Sequence, residues 1–211
     1  TETPMESAWR DSRIARIYEG TNEINRLVTI GMLIKKGMKG ELDLMQKAEE
    51  VANELTEIPS FDVPDFKDLF DEEKYVLNNL KKVFLMLSGA GLKKYGMNLE
   101  NHQEVLLSIS DILIEIYMSE SAILRTEKNC KRFGTDNYHA QIAISKLYLF
   151  EACEMIISKS RELIFSLSEG SEQKFLLMGL KRFTKYYNYP KPIELKRTIA
   201  KIVSEENRYN L

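Results

Sequence analysis

The chain has 211 residues, 44% of them hydrophobic and 29% charged, the make-up of an ordinary globular domain, alone or with a small appendage. A formal net charge of −2 leaves no basic excess to release counterions from phosphates, so there is no global reason to expect nucleic acid as a partner. Cys130 and Cys153 are too few and too far apart for a disulfide framework or a zinc site, and read as small core or boundary thiols.

The opening Thr1-Glu2-Thr3-Pro4 has neither the basic flank nor the apolar run of a secretory signal, and it lacks an initiator methionine, as if continuing a longer polypeptide. No stretch approaches the roughly 20 consecutive apolar residues of a membrane span. A cytoplasmic, bacterial-type location is expected. Residues 4–20 are charge-rich and close on Tyr18-Glu19-Gly20-Thr21. Thr21 suits a helix N-cap, and Ile24, Leu27, Val28, Gly31 and Ile34 recur at helical steps before Lys35-Lys36-Gly37. A helix over Asn22–Lys36 follows. A second is expected over Leu42–Leu55, then a loop over Ile58–Phe70 containing Pro59 and Pro64. A third helix, Asp71–Lys94, opens on three acids that suit the positive helix start. Gly89-Ala90-Gly91 inside it predicts close helix–helix approach, since each glycine costs about 1 kcal/mol relative to alanine.

The longest helices carry the stripes Val105, Ile109, Ile112, Ile116, Ile123, Leu124 and Ile142, Leu149, Cys153, Ile156, Leu163, Leu167. The short turn at Gly134-Thr135-Asp136 predicts that they pack antiparallel. Ser168–Ser171 separates a sixth helix, Glu172–Tyr187; Asn188–Pro192 breaks it, and a last helix spans Pro192–Val203 ahead of a polar tail, Ser204–Leu211. No alternating strand pattern competes. The predicted fold is all-α, an antiparallel helical bundle.

Read from its residues alone, Glu19 is a carboxylate beside a glycine just ahead of a helix start. It then sits on irregular backbone and points outward, with Gly20 leaving room for a ligand and the first N–H groups at Asn22 and Glu23 free for an acceptor-rich partner. From the residues alone, a solvated glutamate with Gly20 as a simple turn residue is the preferred reading. Arg10, Asp11, Arg13 and Arg16 read as a salt-bridge cluster orienting the segment, or as contacts to phosphates.

The stretch is more specific than that. Arg10, Asp11, Arg13, Ile14, Ile17, Tyr18, Glu19, Gly20, Thr21, Asn22, Glu23 and Ile24 closely resemble the carboxy-terminal signature of acyl-CoA dehydrogenases, twelve positions in a run of fifteen. The resemblance implies that Glu19 is the base that takes the acyl α-proton while a hydride leaves the β-carbon for FAD, giving a trans-2-enoyl-CoA. It implies that Tyr18 and the Gly20 backbone meet the substrate, and that Thr21, Asn22 and Glu23 lie along the flavin nucleotide. The chemistry needs a desolvated, well-aimed carboxylate, a hydrogen-bonded thioester carbonyl, and a cofactor to accept the hydride.

In the family most of the flavin and substrate sites precedes this signature, so the isolated chain is expected to take up no FAD and to be inactive. The long helical continuation resembles the very-long-chain class and its bacterial relatives. That resemblance implies a long-chain acyl-CoA substrate, an electron-transfer acceptor and a homodimer. It divides the chain into residues 1–40, the end of the dehydrogenase helical domain; 41–70, a connecting helix and linker; and 71–211, a helical extension. A non-catalytic dimerisation or membrane-docking module is the competing reading. The cations between Lys181 and Lys201, interleaved with Phe183, Tyr186, Tyr187 and Tyr189, fit a lipid surface. A solvated face with tyrosines packed inward is preferred. His102 and His139 lack an i+4 partner, so no metal is expected. Cys153 has no neighbouring histidine in sequence and is not read as a nucleophile, and the methionines read as core filler.

Overall fold

The computed structural model describes residues 4–58 and 62–206; Pro59 and residues 207–211 of the expected tail lie outside that range. Among the described residues there are eight α-helices and no strand: α1 (Met5–Ile14), α2 (Asn22–Met38), α3 (Leu44–Thr56), α4 (Asp71–Tyr95), α5 (Gln103–Phe133), α6 (His139–Leu167), α7 (Gly170–Phe183) and α8 (Pro192–Glu206).

The centre is α4, α5 and α6, each packed on the other two. At 31 residues, α5 is about 46 Å long. It reverses into α6 through Gly134, whose φ of 85° is one that residues with a Cβ rarely adopt. Val76, Leu80 and Leu87 of α4 join Ile112 and Ile123 of α5 and Leu149, Ile156 and Ile164 of α6 in one buried cluster. Between the two long helices, Thr126 and Ser145 share a buried hydroxyl hydrogen bond of 2.9 Å. Lys74 of α4 reaches Glu127 of α5 at 2.6 Å. Lys146 of α6 reaches Glu73 of α4 at 2.9 Å. Around this core, α2 lies on α5, α3 on α4, α7 on α4 and α6, and α8 on α6.

The expected elements hold with four physical corrections. Residues 5–14 form a helix, although none of its residues is buried. The glycines of α4 do not mark close approach. A Cβ on Gly89 would meet only Ala48, at 4.0 Å, and one on Gly91 would make ordinary contacts. The tight contact is at Gly179 of α7, where a Cβ would come within 2.8 Å of Leu55 and Met86. The sixth helix ends at Phe183 instead of Tyr187, because Glu72 draws the chain aside. Its carboxylate accepts from the backbone N–H of Tyr187 (2.8 Å) and Asn188 (2.6 Å), and from the Asn188 side chain (3.0 Å). The last helix runs past Val203 to Glu206.

One ion cluster joins α2 to the bundle. Arg26 Nε donates to Asp111 Oδ1 of α5 at 2.6 Å, and Lys159 of α6 meets Asp111 Oδ2 at 2.8 Å. Burial acts to raise the Asp111 carboxyl, but the bonds from Lys159 and Arg26 outweigh it and hold its pKa below the usual 3.8. A carboxyl depressed on folding adds stability that is full above its unfolded pKa and is lost as pH falls through the folded one. Unfolding free energy measured by denaturant titration should therefore decline as pH drops below about 3.8, with Asp111→Asn showing a shallower decline; equal slopes would contradict the pairing. Glu72→Ala should lower stability by about 2 kcal/mol, the scale of losing hydrogen bonds to a charged acceptor, in the same titration at neutral pH.

Candidate functional site

The last turn of α1 loosens at Ala15, and the chain turns sharply before α2. Asn22 N–H donates to the Arg16 carbonyl at 3.1 Å, closing the turn. Two consecutive residues inside it have positive φ, Glu19 at 59° and Gly20 at 88°. Glycine adopts such a conformation freely; for an L-residue with a side chain it costs about 1–2 kcal/mol. Among the described residues Glu19 is the one non-glycine with positive φ.

The turn is braced from its carboxy-terminal side. Thr21 is the N-cap, its hydroxyl oxygen accepting from Ile24 N–H at 3.2 Å. Asn25 Nδ2 donates to the Gly20 carbonyl at 3.0 Å. Glu23 has its carboxyl lowered by its own backbone N–H and then by the Thr21 hydroxyl, with Arg26 and Arg16 adding attraction. The expectation of free donors is therefore corrected at Asn22, whose N–H is taken by the Arg16 carbonyl. The backbone N–H groups of Glu19 and Gly20 make no hydrogen bond among the described residues.

Tyr18, Glu19 and Gly20 are exposed, and the Glu19 carboxylate has no hydrogen bond or ion pair among the described residues. Thr21 and Asn22 are half-buried, Glu23 exposed. The arginine cluster expected upstream does not form. Arg10 pairs with Glu6 at 2.7 Å, and Asp11 and Arg13 have no ion pair among the described residues. On α2, Leu27, Ile30, Ile34 and Gly37 face the bundle, whereas Ile24, Val28 and Met32 form an outward apolar stripe, each about half exposed. A cavity of about 360 Å³ between α2, α3 and α4 is lined by Ile30, Ala48, Phe84 and Gly89; Glu19 does not line it.

Residues 79–182 match the family model "Acyl-CoA dehydrogenase, C-terminal domain". A probable acyl-CoA dehydrogenase of Bacillus subtilis is 34% identical over 213 aligned positions, covering all of this chain and 35% of that protein. The chain belongs to the acyl-CoA dehydrogenase family. A crystal structure of an acyl-CoA dehydrogenase complexed with FAD from Bacillus anthracis superposes with a TM-score of 0.92 at 37% identity, again over the whole of this chain and 35% of the other. The short-chain specific mitochondrial enzyme of Sus scrofa is 60% identical, but over 35 residues, 17% of this chain. The chain thus spans about a third of the length of the long relatives that it matches throughout.

Asn25 and Arg26, which tie the dehydrogenase signature to its own turn and to α5, carried no role in the sequence reading. Asn25 stands within the signature region, yet a polar residue in a first helical turn has many uses. Arg26 has its partner 85 residues away. The remaining features are structural. Both cysteines are buried and free, and burial pushes the Cys153 thiol up to about 12, aided by Glu154. His102 stacks on Tyr95, with ring centroids 3.6 Å apart. Among the described residues no group of His, Cys, Asp or Glu is placed to hold a metal ion, and no helix is long and apolar enough to cross a membrane. In the basic stretch, Lys191, Lys196 and Lys201 meet Glu194, Glu151 and Glu205, Arg182 donates to the Glu54 carbonyl, and Phe183 and Tyr186 are buried.

The braced turn makes a specific demand at position 20. A Cβ on Gly20 would come 2.9 Å from Asn25 Oδ1 in a backbone conformation unfavourable to it. Gly20→Ala should lower stability by about 1–2 kcal/mol and speed solvent exchange of the Asn22 amide. An unchanged exchange rate would mean that the turn accepts the methyl group.

Proposed function

We propose that the protein carrying this chain is an FAD-dependent acyl-CoA dehydrogenase in which Glu19 is the base. The observation that carries the reading is Glu19 itself: a carboxylate without an intramolecular partner, held in left-handed backbone on a braced turn. Non-glycine residues persist in such conformations where the surroundings impose them, and they cluster at active sites. A turn with no further role would be served at lower cost by glycine or asparagine.

The roles follow from the geometry. A carboxylate engaged by no cation or donor keeps its lone pairs for the α-proton of the acyl thioester. The N–H groups of Glu19 and Gly20 are free to donate to the thioester carbonyl, where negative charge develops as that proton leaves. FAD, when bound, supplies the two-electron acceptor for the hydride from the β-carbon. The α-proton goes to Glu19, the β-hydrogen leaves with its electron pair, and the remaining pair forms the double bond of a trans-2-enoyl-CoA. Tyr18 lines the substrate side.

Thr21, Asn22 and Glu23 fit one edge of a flavin-nucleotide site and not its whole cradle. Asn22 has a side-chain amide without a partner among the described residues. The Glu23 carboxylate, held ionised, is suited to accept from sugar hydroxyls and unsuited to phosphate oxygens. The N–H groups of Asn22 and Ile24 are engaged, so flavin contacts here run mainly through side chains. The outward stripe Ile24, Val28 and Met32 is consistent with a longer protein covering this face of α2 and drying the carboxylate.

A long acyl chain is the preferred substrate in this reading. Its support is that the relatives matched throughout are long forms, whereas the short-chain specific enzyme matches over 35 residues. The electron acceptor and a homodimeric assembly belong to the same proposal, with residues 1–40, 41–70 and 71–211 as the dehydrogenase end, the connector and the extension. FAD uptake and turnover then need the whole protein and not this chain alone.

Glu19→Gln keeps the shape of the side chain and removes its basicity. In the full-length protein it should leave the flavin absorbance in place and reduce oxidation of butanoyl-, octanoyl- and hexadecanoyl-CoA by about a thousandfold or more, the upper part of the range for general-base catalysis. Turnover near the parent's would end the assignment.

A further inference from the structure

We propose that Arg26 and Asp111 are positioning residues for Glu19, so that the helical extension sets the aim of the base; this rests on the reading of Glu19 given above. The first turn of α2 contains no buried side chain, and the first residue of the helix to be buried is Ile30, about two turns along. Within this chain, apolar packing of α2 begins with the partly buried Leu27 and is complete at Ile30, so the turn before them is tied to the bundle by a polar link. On the other side, α1 buries nothing either.

What holds the first turn is Arg26. Its Nη1 donates to the Asn22 carbonyl at 3.2 Å while its Nε donates to Asp111 at 2.6 Å. The planar guanidinium thus bridges the helix start to α5 in a fixed geometry that a lysine cannot reproduce. Asp111 is itself held from the far side by Lys159 at 2.8 Å. From Asn22 the links continue through the Arg16 carbonyl, and from Asn25 through the Gly20 carbonyl, to the two residues flanking or forming the strained turn. With Glu19 in left-handed backbone, a loosened helix start lets the turn relax and the carboxylate swing. Small displacements of this kind lower the rate of the chemical step far more than they weaken ground-state binding.

The test is steady-state kinetics of the full-length flavoprotein with the best substrate among butanoyl-, octanoyl- and hexadecanoyl-CoA, for Arg26→Met, Asp111→Asn and the double variant. Each single change should lower kcat roughly tenfold to a hundredfold with KM within about twofold and flavin retained. The double variant should be no slower than the worse single, because both break one link. Asp111→Glu should recover part of the loss. Glu127→Gln, which breaks a comparable ion pair between α4 and α5, should lower the melting temperature and leave kcat unchanged.

Wild-type kcat in both single variants, multiplying losses in the double, or an equal kcat loss in Glu127→Gln at matched stability would each overturn the proposal. If Asp111→Asn does not fold, Arg26→Lys decides. It keeps the charge and loses the bridge, so a fall in kcat without a fall in melting temperature supports the positioning role, and an unchanged kcat overturns it. An active Glu19→Gln would remove the base and this proposal together; an inactive Glu19→Gln beside fully active Arg26 and Asp111 variants removes the positioning role alone.

Discussion

A single carboxylate, Asp111, is shared by cations from two other helices, and the relation between the signature segment and the bundle depends on it. Arg26 arrives from α2 and Lys159 from α6, each on its own carboxylate oxygen. The three side chains are about one-quarter to one-third exposed, too sheltered for water to replace the contacts freely and open enough for the surplus positive charge to be solvated. Two cations around one anion keep that anion ionised against the opposing effect of burial. An exposed pair of the same residue types would hold little in place. Here the pair adds a polar link ahead of the apolar contacts that Leu27 and Ile30 make along α2.

The chain divides its physical tasks accordingly. The helices α4, α5 and α6 bury a continuous aliphatic cluster and behave as the platform. Against it, α2 is a two-faced helix, with Leu27, Ile30 and Ile34 turned inward and Ile24, Val28 and Met32 turned outward. The segment ahead of it is charge-rich but also exposes Trp9, Ile17 and Tyr18. Single exposed apolar residues are unremarkable, but Ile24, Val28 and Met32 make a contiguous helical stripe, the kind of surface that the proposed longer protein would cover. The family relation gives that surface a context: the relatives matched along the whole chain are about three times as long.

What could be read in the sequence follows from how local each determinant is. The long helices were legible because their stripes repeat over many turns and the glycine at 134 punctuates them. The cap at Thr21 was legible because the capping oxygen lies three residues from its donor. The dehydrogenase signature was legible because its residues are contiguous. Three of the misses turn on partners distant in sequence. The end of α7 is decided by Glu72, more than a hundred residues earlier, and no local rule at 184–188 contains that information. Gly89 and Gly91 drew attention because glycine is costly inside a helix, yet the contact that needs a glycine is at 179, where α7 meets Leu55 and Met86. The arginines before Glu19 suggested an ion cluster by density alone, whereas the arginine that anchors the segment is Arg26, further on.

The conformation of Glu19 bears on why the segment carries these residues in this order. Two left-handed residues in succession reverse the chain tightly enough for Asn22 N–H to reach the Arg16 carbonyl. Gly20 meets its share of that demand without strain; Glu19 does not. The excess of about 1–2 kcal/mol must be offset by neighbours, and the neighbours are identifiable: the Thr21 cap, the Asn25 amide on the Gly20 carbonyl, and the Arg26 bridge that keeps the helix start where both can act. Each is a polar residue in the first turn and a half of α2, bonded to backbone. Were position 19 only a bend, glycine there would make most of this bracing unnecessary. The proposed role of Glu19 as a base accounts for a glutamate held against its backbone preference with its carboxylate left unbonded.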